Sequence, residues 1–183
     1  MRRNFNYECI EYTERDYSFL TRIKCIDLII EEENMKDFEV REIQDIFYND
    51  LTHLVQESKQ DGFRFLERLV NDYKIGINTF DKPGESLYGV FNKKNVLVGI
   101  GGLNIDSSLK GQEVGRLRRF YIAKDNRRNG LGKLLLNTII CVARRHYKIL
   151  VLYTDTEQAD KFYISTGFLK SDTYPHATRY LNL

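Results

Sequence analysis

Between Val114 and Lys133 the chain reads as a β-like run, Val114 to Ile122, then a short polar hinge, then RRNGLGK opening a long apolar stretch. A strand that feeds a helix through a glycine-bearing turn leaves bare backbone N–H groups and the positive end of a helix dipole facing whatever lies above the turn. The occupant such a place favours is an anion, and first of all a phosphorylated ligand. Gly130 and Gly132 have no Cβ, so backbone and phosphate can approach closely, and Arg127, Arg128 and Lys133 add charge at the same point. From Arg116 to Lys133 the basic residues Arg116, Arg118, Arg119, Lys124, Arg127, Arg128 and Lys133 face a single acid, Asp125, in a chain whose net charge is only +2. The positive charge is therefore local.

Two familiar phosphate motifs do not fit. A Walker loop needs a hydroxyl residue after Gly132-Lys133, where Leu134 stands, and the dinucleotide fingerprint needs Gly or Ala three positions beyond Gly132, where Leu135 stands. Nucleotide hydrolysis and nicotinamide binding both lose ground. The plain alternative is a helix that starts at glycines with solvated arginines on its first turn.

Read as Arg127-x-x-Gly130-x-Gly132, after LRRFYI and before LLLNTIICVARR, the segment resembles the coenzyme A motif Q/R-x-x-G-x-G/A of the GCN5-related N-acetyltransferase (GNAT) superfamily. Further on, TEQADKFYISTGF resembles that family's following helix, with Ala159, Phe162, Tyr163, Gly167 and Phe168 in register. Two motifs in order and at a plausible distance are more specific than either alone. The resemblance covers Leu87 to Leu183 well and the first half loosely. Thr156 departs from it, because many members carry Asn at the start of that helix, and a side-chain amide contact to the cofactor is in doubt there.

The 183 residues, 42% of them hydrophobic, suffice for one core and are short for two, so 1–183 reads as one domain. No apolar run approaches the roughly 18 residues that span a bilayer. Asn4, Asn6 and Glu8 follow Met1-Arg2-Arg3 where a signal core would be apolar, and Cys9, Cys25 and Cys141 are odd in number and form no CxxC pair. A reducing, cytoplasmic setting is the expectation. His53, His146 and His176 are scattered, so no metal site is expected, and Cys141 reads as a packing residue.

Along the chain, NYECIEYT suggests an opening strand, and Phe19, Leu20, Ile23, Ile26 and Ile30 recur at helical spacing. Ile43, Phe47, Leu51, Leu54 and Val55 suggest a second helix, and Phe65, Leu66, Leu69 and Val70 a third. The Lys82-Pro83-Gly84 turn then separates a helix-rich part, 1–82, from a strand-rich, cofactor-binding part, 83–183. Strands are expected at Leu87 to Phe91, Val96 to Ile105 and Val114 to Ile122, with a hairpin turn at Asn92 to Asn95. Leu131, Leu134, Leu135, Ile139 and Val142, widened by Leu136 and Ile140, give the next helix an apolar face. Ile149 to Tyr153 reads as a buried strand, Glu157 to Ser165 as a helix ended by Gly167, and Leu169 to Ser171 and Arg179 to Leu183 as closing strands. The fold class is α/β. The resemblance implies a single GNAT-like mixed sheet flanked by helices, with an N-terminal helical segment, and a sheet splayed on either side of the glycine-led helix.

The resemblance further implies an acetyl-CoA-dependent N-acetyltransferase that transfers acetyl by direct attack to a primary amine of a small molecule or peptide. The backbone from Arg128 through Asn129, Gly130, Leu131 and Gly132 to Lys133 would bind the pyrophosphate, with Arg127 beside it. The main chain of Phe120, Tyr121 and Ile122 would pair with the pantetheine arm, the Ile122 N–H would face the thioester oxygen, and Thr156, Ala159 and Phe162 would complete the cofactor site. Tyr163 is the expected acid at the departing sulfur, the alternative being a core tyrosine beside Phe162. Glu113 is the expected base, with Asp106 or a water chain as other routes, because deprotonating an alkylamine at pH 7 costs roughly 4.6 kcal/mol. The acids Asp27, Glu31, Glu32, Glu33, Asp37, Glu39, Glu42, Asp45 and Asp50, against Lys36 and Arg41, would draw in a cationic amine or form a solvated face. A non-catalytic acyl-CoA-binding or regulatory module is the competing class. LRRFYI lacks the RNA-recognition signature, so no nucleic-acid partner is expected. No membrane partner is expected either, and a homodimer is compatible with the resemblance.

Overall fold

A glycine-rich strand buried on both faces organises the molecule. A computed structural model describes residues 36–106, 108 and 113–183. Its strands are β1 (Phe38–Glu42), β2 (Ser86–Asn92), β3 (Leu97–Ile105), β4 (Val114–Ile122), β5 (Ile149–Leu152), β6 (Leu169–Lys170) and β7 (Arg179–Asn182), and its helices are α1 (Thr52–Gln60), α2 (Phe65–Lys74), α3 (Leu131–Ala143) and α4 (Glu157–Ser165). They form one mixed seven-stranded sheet in the order β1-β2-β3-β4-β5-β7-β6, antiparallel throughout except where β4 meets β5.

The central strand β3 is LVGIGGLNI, and its glycines let both helical layers close on it. A Cβ at Gly101 would lie 2.9 Å from Ile139 of α3 and from Phe120, and one at Gly102 would lie 2.3 Å from the Phe80 ring on the opposite face. On the α3 side Leu131, Leu135, Leu136, Ile139, Ile140 and Ala143 are buried, as the apolar stripe of this helix predicts. On the other side α1 and α2 contribute Leu54, Leu66 and Leu69 to the same core.

The parallel pair β4–β5 is short. Val114, Gly115 and Arg116 pair with Ile149, Leu150 and Val151, and from Leu117 to Ile122 that edge of β4 has no strand beside it. The sheet is splayed there, and an open edge offers unused backbone groups to an extended ligand. On its other edge β4 pairs with β3 with one irregularity: Ile100 faces Tyr121 and Gly102 faces Arg118, so Arg119 and Phe120 share the single position Gly101. Arg119 is left-handed, with φ 57°, as the extra residue of a bulge.

Two departures from the sequence reading stand out. Ile43 to Val55 is not one helix: the Asp45 carboxylate accepts the Phe47 N–H at 2.8 Å to start a 3-10 turn at Ile46–Tyr48, and Asp50 accepts the Thr52 N–H at 2.9 Å where α1 begins. One side-chain cap, at Asp45, and one Asp turn, at Asp50, interrupt the apparent periodicity. The strand β1 lies in the part read as helix-rich, paired along the whole of its length with β2. The opening strand and the helix of Phe19 to Ile30 fall outside the described residues. Among the described residues no helix is long and apolar enough to cross a membrane.

Candidate active site

The turn after β4 is built so that its donors stay unused. The Ala123 N–H returns to Val98 of β3 at 2.8 Å, a 3-10 turn covers Lys124–Asn126, and Arg127 is extended. Arg128 and Gly130 then take left-handed conformations, φ 67° and 78°, before α3 begins at Leu131. Alternation of this kind turns successive N–H groups toward one concavity. The N–H groups of Arg128, Asn129, Gly130, Leu131 and Gly132 make no hydrogen bond to the described residues, and the first helical bond runs from Leu134 to the Gly130 carbonyl at 3.0 Å. The Arg128 and Lys133 side chains are exposed beside them.

Arg127 has a different task. Its Nε donates to the Ile122 carbonyl at 2.8 Å, its Nη2 donates to Asp61 at 3.0 Å, and its guanidinium lies 4.9 Å from the Tyr121 ring centroid. Asp61, at the end of α1, also pairs with the Lys124 ammonium at 2.5 Å. These contacts, the Lys124 bond foremost, hold its carboxyl down at about 2. The Tyr121 hydroxyl sits 2.9 Å from both Asp61 and Glu57, and burial followed by the two carboxylates pushes its pKa well above the ordinary value. Glu57 also accepts the Lys124 N–H at 2.8 Å. The helix α1 thus braces the turn from behind. None of Glu57, Asp61 or this role for Tyr121 is expected from local sequence, because the partners lie some sixty residues apart.

On the α3 side the open edge of β4 meets α4. A Cβ at Gly132 would lie 3.4 Å from the Phe162 ring, and Phe162 stacks on Phe120 with centroids 6.0 Å apart. Thr156 is the N-cap of α4, its hydroxyl accepting the Ala159 N–H at 3.3 Å, so the residue that departs from the family pattern serves the helix itself. Ala159 packs, half-buried, against the core. Because the Ala123 N–H points to β3, strand alternation turns the Ile122 N–H to the open edge.

Tyr163 is 7% exposed and packs edge-on against Phe120, Phe162 and Phe168. Its hydroxyl makes no hydrogen bond to the described residues, and burial alone raises its pKa. A buried phenol in this condition is a proton donor without an acceptor.

Glu113 is not brought to this place. It stands just ahead of β4, exposed, paired with Lys148 at 2.5 Å, and its carbonyl accepts from Lys148 and Ile149 at the closed end of the β4–β5 pair. Six ladder steps, the bulge counted once, separate it from Phe120, about 20 Å. Asp106 is committed as well: its carboxylate takes Nε and Nη2 of the buried Arg116 at 3.0 and 2.6 Å, while Arg116 also donates to the carbonyls of Pro175 and His176. The described members of the acidic run are largely engaged, Asp37 with Lys93, Glu39 with Arg41, Asp45 as a cap and Asp50 with the Thr52 N–H.

The chain matches the model of the acetyltransferase (GNAT) family over residues 40–168. No curated protein matches it by sequence. Among solved structures it is similar to an Exiguobacterium sp. 255-15 protein assigned as an acetyltransferase, with 29% identity, a TM-score of 0.72, and 80% of this chain and 93% of that one covered. It is also similar to a GNAT-family acetyltransferase of Staphylococcus aureus Mu50, with 18% identity, a TM-score of 0.62 and coverage of 78% and 96%. A Klebsiella pneumoniae protein assigned as an acyl-CoA N-acyltransferase gives 17%, 0.55, and 78% and 94%. At those two identities the likeness is one of fold.

Proposed function

The chain belongs to the GNAT acetyltransferase family, and on that footing we propose that it is an N-acetyltransferase that moves acetyl from acetyl-CoA to a primary amine of a small molecule or peptide by direct attack. The observation that carries this reading is the row of unused N–H groups from Arg128 to Gly132 beside the open edge of β4. Those groups fit a pyrophosphate, with Arg128 and Lys133 adding charge. The open edge fits an amide-bearing arm that pairs as a strand would, and Thr156, Ala159 and Phe162 close the site on the α4 side. The acyl-CoA assignment of the Klebsiella relative supports the same donor class. We take 1–183 as one catalytic unit, working in the cytoplasm.

In the reaction the amine lone pair attacks the thioester carbonyl carbon, the C–N bond forms and the C–S bond breaks. The ammonium form of the acceptor gives up two protons in all, one of which is balanced on the departing sulfur and one of which leaves to solvent. The Ile122 N–H faces the edge where charge grows on the carbonyl oxygen. Tyr163 donates its hydrogen bond to the sulfur as that atom becomes anionic. With its pKa raised by burial, complete proton transfer to a thiolate is uphill, so the strengthening hydrogen bond is its contribution. The position of Glu113 gives no support to a direct base role, and a water chain is the route carried forward.

A non-catalytic acyl-CoA-binding module is the second reading, favoured by the distance of Glu113 from Tyr163. The deciding experiment is calorimetric titration with acetyl-CoA and CoA of the wild type and Gly130→Glu, followed by thiol release with a panel of amines. Binding lost in the mutant together with turnover supports the enzyme. Binding without turnover of any amine supports the module, and no binding by the wild type sinks both.

A further inference from the structure

Four arginines gather on the α2 side of β4 where the sheet opens. Arg116 and Arg118 share a face because their β3 partners, Asn104 and Gly102, alternate with Leu103, and the bulge turns Arg119 to the same side, where it donates to Asp72 of α2 at 2.8 Å. Arg68 of α2 adds its charge close to Arg119. The carboxylates within electrostatic reach of Arg118 are Asp106, Glu85 and Asp72. Asp106 is taken by Arg116, Asp72 by Arg119, and Glu85 accepts the Ile105 N–H at 3.1 Å.

Arg118 is left over. It is exposed and forms no hydrogen bond or ion pair with the described residues. Beside it the Arg119 Nε–H is buried with no hydrogen-bond partner. A guanidinium without a counter-ion next to an orphaned buried donor is a place that lacks an anion. It lies one ladder step along β4 from Phe120, the residue that touches Tyr163, on the opposite face of the sheet at the same open edge.

Resting on the reaction proposed above, we infer that the acceptor carries a carboxylate as well as its amine, and that Arg118, positioned by the Arg119 bulge, binds that carboxylate. The guanidinium fork matches the carboxylate plane, which a lysine would not. The same cluster acts on the amine. Positive neighbours disfavour an ammonium ion, so an amine held here loses its proton more readily than in water, which eases a step that the engaged carboxylates of Asp106, Asp72 and Glu85 leave to a water chain. Polyamines, with no anionic group to offset the arginines, are rejected by the same field.

The test is thiol release from acetyl-CoA with amino acids, with their amides, and with putrescine and spermidine, on the wild type, Arg118→Ala and Arg118→Glu. Acetyl-CoA titration of each variant reports that the fold and the donor site are intact. The expected result is a preference for free amino acids over their amides of about tenfold or more in kcat/KM, lost in Arg118→Ala and reversed toward the polyamines in Arg118→Glu. Turnover of amides or polyamines equal to or better than that of amino acids by the wild type overturns this inference and leaves the acetyltransferase reading intact. So does a preference that survives in Arg118→Ala. Acetyl-CoA binding with no turnover of any amine overturns both.

Discussion

Asp61 and Arg127 meet at 3.0 Å across the back of the anion-binding turn, tying the end of α1 to the residue three positions ahead of Gly130. Asp61→Asn keeps the shape and removes the charge that Lys124 and Arg127 share. We expect a loss of about 2 kcal/mol in stability at pH 7 and weaker CoA binding. The pH dependence has a definite sign. A carboxyl lowered from 3.8 to about 2 contributes stability that is complete above the unfolded value and fades as pH falls through the folded one. Thermal melts of wild type and Asp61→Asn should therefore differ at pH 7 and converge as pH falls from about 4 toward 2.

Tyr163→Phe removes one oxygen from a ring already packed among Phe120, Phe162 and Phe168. The melting temperature should hold or rise slightly, because the hydroxyl has no hydrogen-bond partner among the described residues to lose. kcat should fall on the order of a hundredfold while the KM for acetyl-CoA changes little. Steady-state kinetics with an active amine decides it, and unchanged kcat would remove Tyr163 from the mechanism.

The two turn glycines should separate by phenotype. Gly130 needs a left-handed backbone, so Gly130→Ala should lose about 1 kcal/mol of stability as well as affinity. Gly132 has ordinary space for a Cβ against Phe162. Gly132→Ala should melt like the wild type yet bind CoA more weakly, because the added methyl group meets the ligand and not the protein. Paired melts and titrations read both effects.

Glu113→Gln breaks an exposed pair with Lys148 and little else. Such pairs contribute about 0–1 kcal/mol, and kcat should stay within about twofold at every pH. A lost acidic limb in the pH–rate profile would instead restore Glu113 as the base.

The strand–turn–helix unit was legible because its signals are local. Val114 to Ile122, the start of α3 at Leu131 and the span of α4 all follow from alternation, apolar periodicity and glycine placement. In the first half the same reasoning ran through a real boundary: Ile43, Phe47, Leu51 and Leu54 are spaced as a helix would space them, and only the carboxylates of Asp45 and Asp50, acting on the backbone two residues on, reveal the break. The strand Phe38–Glu42 does alternate apolar with charged residues, but the alternation lasts only five residues and lies inside an acidic run, where charge masks it. Tyr121 with Glu57 and Asp61, and Arg116 with Asp106, are contacts between distant segments, and no local pattern encodes them.

The bulge in β4 acts as a change of parity. Ahead of it the even-numbered residues Arg116 and Arg118 face α2, and beyond it the odd-numbered Tyr121 does. A regular strand would keep the upstream count, pointing Arg119 and Tyr121 into the apolar layer under α3 and turning Phe120 and Ile122 away from Phe162 and Gly132. Loss of Arg119, the extra residue, would leave Phe120 opposite Gly101 and Tyr121 opposite Ile100, so everything downstream would keep its surface, whereas flattening the bulge at full length would exchange the two surfaces of all of it at once. The bulge thus adds a residue to one surface of this strand without changing the surfaces that the rest of it presents.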